Sequence, residues 1–283
     1  MDRLIRLLAA LLAVGVLAVP QARAASAPRI VSLAPHITEL LFAAGAGGRL
    51  VGVSAYSDYP PAAKQLPRIG DAFRLDYERI LALHPDVAVA WASGTPQPVI
   101  DRLRALGVPV TVLGIRTLED IPAAIERLGR LAGTGKAADA AAARFRQRLA
   151  AMRADYAGRP PVSVFIELDQ QPLFTVTGRH MISEVVSICG GRNVFASLPG
   201  LAPPVDLEAV VAADPEAILY TGPDPDPARF WRGRNEIRAV RDRDVLKVPG
   251  DLVSRATPRV LLGVKRVCEA LDAVRQRRSA ADR

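Results

Sequence analysis

Several common chemistries leave no motif in this sequence of 283 residues. It has no nucleophile elbow of the G-x-S-x-G type, no Walker phosphate-binding loop and no H-E-x-x-H zinc motif, and its three histidines are scattered. Aromatic residues make up only 5% of the chain and are not interleaved with basic residues. These absences argue against an enzyme that uses one of these motifs and against a nucleic-acid-binding protein.

Cysteine is also scarce, with only Cys189 and Cys268 present. An even number of cysteines in an exported protein favours one disulfide bond, and two buried free thiols are the alternative. Neither cysteine has a histidine nearby in sequence, and both lie in apolar helical contexts, which disfavours a catalytic thiol.

The first 24 residues have the pattern of an export signal. Arg3 and Arg6 precede an apolar run over residues 7–19, and Ala22-Arg23-Ala24 has the small-x-small form of a signal peptidase site. A membrane anchor is the alternative, but this run is shorter than the roughly 20 apolar residues that span a bilayer. We therefore expect a cleaved signal peptide over residues 1–24 and a mature protein beyond the inner membrane.

Two stretches of the chain, residues 75–87 and 205–217, repeat one pattern at a constant offset of 130 residues. Each has Asp at a helix N-cap position, Glu in the first turn, an apolar helix and then Pro and an acidic residue before a hydrophobic strand. Strand and helix patterns alternate along the rest of the chain, which predicts an α/β fold with mostly parallel sheets. Two related lobes of this kind place a ligand cleft between them.

The longest helix pattern is rich in alanine and contains neither Gly nor Pro over residues 136–157. An ordinary surface helix would have the same composition. Its position near the middle of the mature chain favours instead a helix that connects the two lobes. We predict an N-terminal lobe over residues 25–133, a connecting helix over 134–158 and a C-terminal lobe over 159–283.

The few aromatic residues concentrate near the ends of predicted strands. One of them alone would be typical of core packing, whereas several at a shared cleft suit a large, flat ligand. His36 lies between a strand end and a helix start, where it is either a polar edge residue or a metal ligand. The aromatic residues in question are Tyr56, Tyr59, Phe73, Trp91 and Phe174.

Four segments, residues 54–61, 90–91, 189–195 and 254–262, together resemble the periplasmic cobalamin-binding proteins of ABC importers. The resemblance covers essentially the whole mature chain, and Tyr-Ser-Asp-Tyr-Pro at 56–60 with the paired cysteines is its most specific part. It implies two Rossmann-like lobes joined by a single long α-helix of the helical-backbone class, a disulfide between Cys189 and Cys268, and a corrin ring held in the cleft. It also implies a monomeric, non-enzymatic periplasmic protein with no cofactor or metal of its own.

The resemblance further implies roles for individual residues. Asp251 and Arg255 would hydrogen-bond corrin amides, although a plain surface ion pair is the alternative. The sequence departs from the family at Phe73, where relatives have Trp, and at Pro203-Pro204, where a segment carrying another Trp is replaced. The implied ligand contacts are Tyr56, Phe73, Trp91, Phe174, Asp251 and Arg255.

The family docks on its permease through one acidic residue in each lobe, and these positions correspond to Glu78 and Glu208. The alternative is that each glutamate only interacts with the dipole of the helix it begins. The symmetric placement of the two residues favours docking.

Related cleft proteins carry haem or ferric siderophores instead of cobalamin. A haem-binding protein would use Tyr56, Tyr59 or His36 as the axial ligand. The Tyr-Ser-Asp-Tyr-Pro segment favours cobalamin. An enzyme on this scaffold is disfavoured because no constellation of acid, base and nucleophile is visible.

Overall fold

The computed structural model describes residues 27–71 and 74–281. The predicted signal peptide and Phe73 lie outside these residues. Within them, no helix is long and apolar enough to cross a membrane.

The N-terminal lobe is built on a four-stranded parallel sheet of order β2-β1-β3-β4. The central strands carry apolar side chains on both faces and are buried, as expected for a sheet covered by helices on both sides. The strands are β1 (Ile30–Ser32), β2 (Leu50–Val53), β3 (Val87–Trp91) and β4 (Val110–Leu113), and the helices are α1 (Pro35–Ala43), α2 (Tyr77–Ala82), α3 (Gln97–Ala105) and α4 (Asp120–Ala132).

The C-terminal lobe repeats this plan. Its four-stranded parallel sheet has the order β8-β5-β9-β10, and when the strands of each four-stranded sheet are numbered along the chain both sheets have the order 2-1-3-4. A two-stranded antiparallel hairpin, β6-β7, follows β5. The strands are β5 (Val162–Glu167), β6 (Asp169–Gln170), β7 (Leu173–Phe174), β8 (Gly191–Asn193), β9 (Ala217–Tyr220) and β10 (Val245–Lys247).

Helices cover this second sheet as they cover the first. The helices between the strands are short, and the last helix is the longest among the residues that the structure describes. In chain order after the connecting helix α5 (Gly135–Asp155) they are α6 (Met181–Ile188), α7 (Leu207–Ala213), α8 (Ala228–Trp231), α9 (Arg238–Arg241), α10 (Gly250–Val253) and α11 (Val260–Ala281).

The repeated sequence unit forms the same local structure in both lobes. The Asp76 side chain accepts a hydrogen bond of 2.9 Å from the Arg79 amide at the start of α2, and Asp206 accepts one of 2.8 Å from Ala209 at the start of α7. Both helices are followed by buried central strands, β3 and β9. The predicted caps and the internal repeat are therefore confirmed.

The connecting helix α5 runs over residues 135–155, close to the predicted span of 134–158. The boundaries of the lobes on either side of it stay predictions. It packs tightly against α4, a helix that the sequence analysis did not predict. Close packing requires Gly129 on α4, because a Cβ atom there would lie 2.2 Å from the Cβ of Ala138 on α5.

One apolar core runs from the N-terminal lobe through the connecting helix into the C-terminal lobe. It includes Leu41 of α1, Leu128 of α4, Phe145 of α5, Val185 of α6 and Val264 of α11, all buried. Because the core is continuous, a change in the angle between the lobes would disturb close-packed side chains. The packing therefore restrains the angle between the two lobes.

A cluster of charged side chains also joins the lobes. The Glu39 carboxylate of α1 accepts two hydrogen bonds from Arg259, from Nη2 at 2.6 Å and from Nε at 2.8 Å. It accepts a third from Arg255 Nη1 at 3.2 Å. Arg255 Nη1 also donates to Asp58 at 2.9 Å. The Arg259 guanidinium lies 4.2 Å from the centre of the Tyr59 ring. The side chain of Glu39 is only 2% exposed, so its ion pairs with Arg255 and Arg259 are shielded from solvent.

The two cysteines are bonded within the C-terminal lobe. Cys189 follows α6 and Cys268 lies on α11, and both are fully buried. The bond fastens the last helix to the lobe that it covers, in agreement with the predicted disulfide. We expect reduction to lower the free energy of unfolding by about 4 to 5 kcal/mol, because the bond closes a long loop in the unfolded chain.

Urea unfolding with and without a reducing agent measures this effect. The double variant Cys189→Ser/Cys268→Ser serves as the control, since its stability should not respond to the reducing agent. Titration of the unfolded, unreduced protein should find no free thiol. Two reactive thiols would show that the bond does not form.

The interlobe cluster generates a second prediction. Glu39→Gln should lower the free energy of unfolding by about 3 kcal/mol, because it leaves two largely buried arginines without their shared countercharge. Glu119→Gln is the matched control: Glu119 pairs with Arg153 at the surface, and its loss should cost less than about 1 kcal/mol. Equal losses in urea unfolding would mean that the buried cluster contributes no more than a surface pair.

Candidate functional site

A cavity of about 510 Å³ lies between the lobes at the carboxyl ends of the strands. Parallel α/β sheets bind ligands at this edge. The N-terminal lobe contributes the start of α1 and the loops after β3 and β4, and the C-terminal lobe contributes the start of α6 and two loops. The lining residues are His36, Trp91, Ser93, Ile115, Arg116, Arg179, His180, Met181, Gly200, Leu201, Ser254 and Ala256.

A second cavity of about 350 Å³ lies beside the first, within the N-terminal lobe. It shares His36 and Trp91 with the larger cavity, and Tyr56 lines it. The Trp91 side chain therefore stands between two adjoining spaces. Together they offer room for a ligand with an extended flat body.

Trp91 is an exposed aromatic residue in a fixed position. It ends β3, it is 36% exposed, and its amide donates to Thr95 Oγ1 at 3.0 Å. The loop that follows packs against the indole, because a Cβ atom on Gly94 would lie only 2.1 Å from the ring. The His36 ring packs edge-on against the indole, and the two ring centres are 5.0 Å apart. The indole is thus positioned by its surroundings while its exposed part faces the cavities.

His36 is buried beside Trp91, and its imidazole has no hydrogen-bond partner among the described residues. Burial and, second, the positive charge of Arg255 lower the pKa of His36 to about 4. The imidazole is therefore neutral at pH 7, with nitrogen atoms available to a ligand. In the described part of the chain, no group of three or more His, Cys, Asp or Glu side chains is arranged to hold a metal ion.

Tyr56 has an unusual backbone and an exposed side chain. Its φ is 62°, in the left-handed region that a bulky residue rarely adopts, and 77% of the residue is exposed. Strained residues of this kind are concentrated at ligand sites. The structure places Tyr56 with Trp91 at the smaller cavity, and their role as ligand contacts stays a prediction.

Arg255 and Asp251 form an ion pair, with Arg255 Nε 3.0 Å from Asp251 Oδ1. The pairing extends beyond the surface pair considered from the sequence, because Arg255 Nη1 binds Glu39 and Asp58 in the other lobe. Arg255 Nη2 donates to none of the described residues. Its sequence neighbours Ser254 and Ala256 line the larger cavity, whereas Arg255 and Asp251 line neither cavity, so their role as ligand contacts stays a prediction.

The remaining predicted site residues are spread more widely. Phe174 is half-buried on β7 and lines neither of the two cavities. Its role as a ligand contact stays a prediction, as does that of Phe73. Glu78 and Glu208 lie exposed in the first turns of α2 and α7, and neither forms an ion pair with a described residue.

Sequence analysis missed several lining residues. Leu201 is 50% exposed, and it comes directly before the Ala-Pro-Pro segment at residues 202–204. Arg179 donates from Nη2 to the Gly200 carbonyl at 2.7 Å and so holds the Leu201 loop. Arg116 follows β4. An exposed leucine or arginine in a loop carries no sequence signal by itself, so only the fold brings these residues together.

Comparisons with known proteins agree with this geometry. The profile of the periplasmic binding protein family matches residues 30–252. The vitamin B12-binding protein of Vibrio parahaemolyticus is 37% identical over 252 residues, which are 88% of this chain and 91% of that protein.

Solved structures show the same fold. The periplasmic vitamin B12 binding protein of Vibrio cholerae has a TM-score of 0.81 at 38% identity and covers 88% of this chain and 98% of its own. A periplasmic heme binding protein from Pseudomonas aeruginosa has a TM-score of 0.73 at 29% identity and covers 86% and 92%. With two lobes, a connecting helix and a cavity between the lobes, this chain belongs to the periplasmic binding protein family.

Proposed function

We propose that this protein captures cobalamin in the periplasm and delivers it to an inner-membrane ABC importer. Trp91 carries the proposal, because it is an exposed indole held rigidly between two cavities at the junction of the lobes. A flat corrin ring can pack against such a side chain at little entropic cost. The vitamin B12-binding relatives, 37% and 38% identical, support the same ligand.

The polar groups of the site suit the amide-rich edge of a corrin. Arg255 uses Nε and Nη1 for Asp251, Glu39 and Asp58, and its Nη2 can donate to an amide carbonyl of the ligand. The free oxygen of the Asp251 carboxylate can accept from an amide N–H. Both residues are held before the ligand arrives, which reduces the entropy lost on binding.

Export of the protein follows from the predicted signal peptide, whose cleavage after Ala24 forms part of the proposal. A monomer with no cofactor of its own and no nucleic-acid partner is sufficient for this role. The chain needs only a ligand site and a docking surface.

Haem is the second candidate ligand, supported by the 29% identical heme-binding protein. The Tyr59 ring lies under the Arg259 guanidinium, so Tyr56 and His36 are the better placed axial ligands. An absorption spectrum separates the two proposals. Protein incubated with hemin and then desalted should retain no Soret band of a ligated haem, whereas protein incubated with cyanocobalamin should retain the corrin spectrum.

Docking is proposed through Glu78 and Glu208. The helix N-termini beside them are already capped by Asp76 and Asp206, so the two glutamates are not needed as caps. Both carboxylates are exposed and unpaired among the described residues, at equivalent positions of the two lobes. Two like-charged groups in a symmetric arrangement suit a dimeric permease with basic residues on each half.

Replacement of the indole tests the ligand site. Trp91→Ala should weaken cyanocobalamin binding by roughly 1 to 3 kcal/mol in calorimetry, since an aromatic anchor is lost. Trp91→Phe should keep part of the affinity. Leu262→Ala is the control, because Leu262 is 55% exposed on α11 and lines neither cavity. If Trp91→Ala and Leu262→Ala bind equally well, Trp91 is not a ligand contact.

Charge reversal tests the docking surface. Glu78→Arg/Glu208→Arg should abolish stimulation of the importer's ATPase in reconstituted vesicles, because each lobe then presents a like charge to a permease arginine. Affinity for cyanocobalamin should not change. Glu236→Arg, at an exposed glutamate outside the two repeated helices, is the control. If the double variant stimulates the ATPase as the unaltered protein does, the docking surface lies elsewhere.

A further inference from the structure

The larger cavity contains two cationic side chains and no acidic one. Arg116 comes from the N-terminal lobe and Arg179 from the C-terminal lobe, and none of the twelve lining residues is Asp or Glu. Burial lowers the pKa of His180, as it does that of His36, so both lining histidines are neutral at pH 7. The net charge of the lining is therefore that of the two arginines.

The acidic residues near the cavity are committed to other partners. Asp120 accepts from the backbone amides of Arg116 and Thr117 at 2.8 and 2.9 Å. These bonds fix the loop after β4 and leave the Arg116 guanidinium without a hydrogen-bond partner among the described residues. Asp120 thus fixes the loop that carries Arg116 and lies near enough to interact with its positive charge, but it accepts no hydrogen bond from the guanidinium.

Two further carboxylates close to the cavity are also engaged. Glu184 of α6 accepts from the Leu118 amide at 2.9 Å and from Arg153 at 3.0 Å, and Glu119 pairs with the same arginine. Arg179 uses one nitrogen for the Gly200 carbonyl, which holds its side chain in place and retains its full positive charge. Glu119 and Glu184 are thus paired with Arg153, and no described carboxylate forms an ion pair with Arg116 or Arg179.

We propose that Arg116 and Arg179 form an anion subsite that spans the two lobes and binds an oxyanion of the cargo. Resting on the proposed function, this inference assigns to the subsite the phosphodiester of the nucleotide loop, which complete cobalamin has and cobinamide lacks. Guanidinium groups bind phosphate oxygens through paired hydrogen bonds, and such bonds are strong where the bound ligand excludes water. The carboxylates of haem offer the same chemistry from a second source.

Calorimetry with three ligands tests the subsite: cyanocobalamin, dicyanocobinamide and hemin. Arg116→Ala and Arg179→Ala should each weaken cyanocobalamin binding about tenfold, as expected for one charge-assisted interaction. Each should change dicyanocobinamide binding less than about twofold, because that corrinoid has no phosphodiester. Arg116→Lys and Arg179→Lys should keep part of the affinity, and added salt should weaken the binding of cyanocobalamin more than that of dicyanocobinamide.

Arg192→Ala is the matched control, because Arg192 is exposed on β8 and lines neither cavity. The subsite is overturned if the two cavity variants leave cyanocobalamin binding unchanged, or weaken it no more than dicyanocobinamide binding. Failure of the proposed function is a different result: the unaltered protein then binds hemin and not cyanocobalamin. In that case the subsite is tested on hemin, where a tenfold loss in the variants supports it and an unchanged affinity overturns it.

Discussion

The carboxylate of Glu39 lies where the two lobes meet, and both Arg255 and Arg259 bind it. A buried carboxylate with so little solvent access requires these partners, because an unpaired charge in the interior is strongly destabilising. Glu39 belongs to α1 of the N-terminal lobe, whereas the arginines come from the segment between α10 and α11. The cluster therefore fixes the relative position of the lobes and, through Arg255, the orientation of a proposed ligand contact.

The shared core and the connecting helix also restrain the relative position of the lobes. Phe145 and Leu149 of α5 are buried in apolar packing that continues into both lobes, so the cleft exists before a ligand arrives. A preformed cleft loses less conformational freedom on binding than one that must close. Its lining has an apolar and a cationic part: Trp91 and Leu201 offer apolar area, while Arg116 and Arg179 add positive charge. This combination suits a large ligand with a flat apolar body and an anionic substituent.

The local parts of this structure could be predicted from the sequence, whereas the interlobe parts could not. The caps at Asp76 and Asp206, the central strands and the connecting helix follow from hydrophobic period and capping residues over a few turns. Glu39 lies 216 and 220 residues from its two arginines, and no local pattern specifies such a pair. Sequence analysis missed the helix α4, and the need for glycine at position 129 arises only from the close packing of α4 on α5. The left-handed backbone of Tyr56 and the cavity arginines likewise depend on tertiary structure.

A crystal structure of the complex with cyanocobalamin would show the ligand site and the Glu39 cluster together. We expect a corrin ring in the cavity between the lobes, in contact with Trp91, and a Glu39–Arg259 ion pair that is unchanged from the free protein. A ligand bound elsewhere would contradict the assignment of the site. Lobes that move apart or together enough to break the Glu39 cluster would contradict the claim that this cluster fixes the cleft.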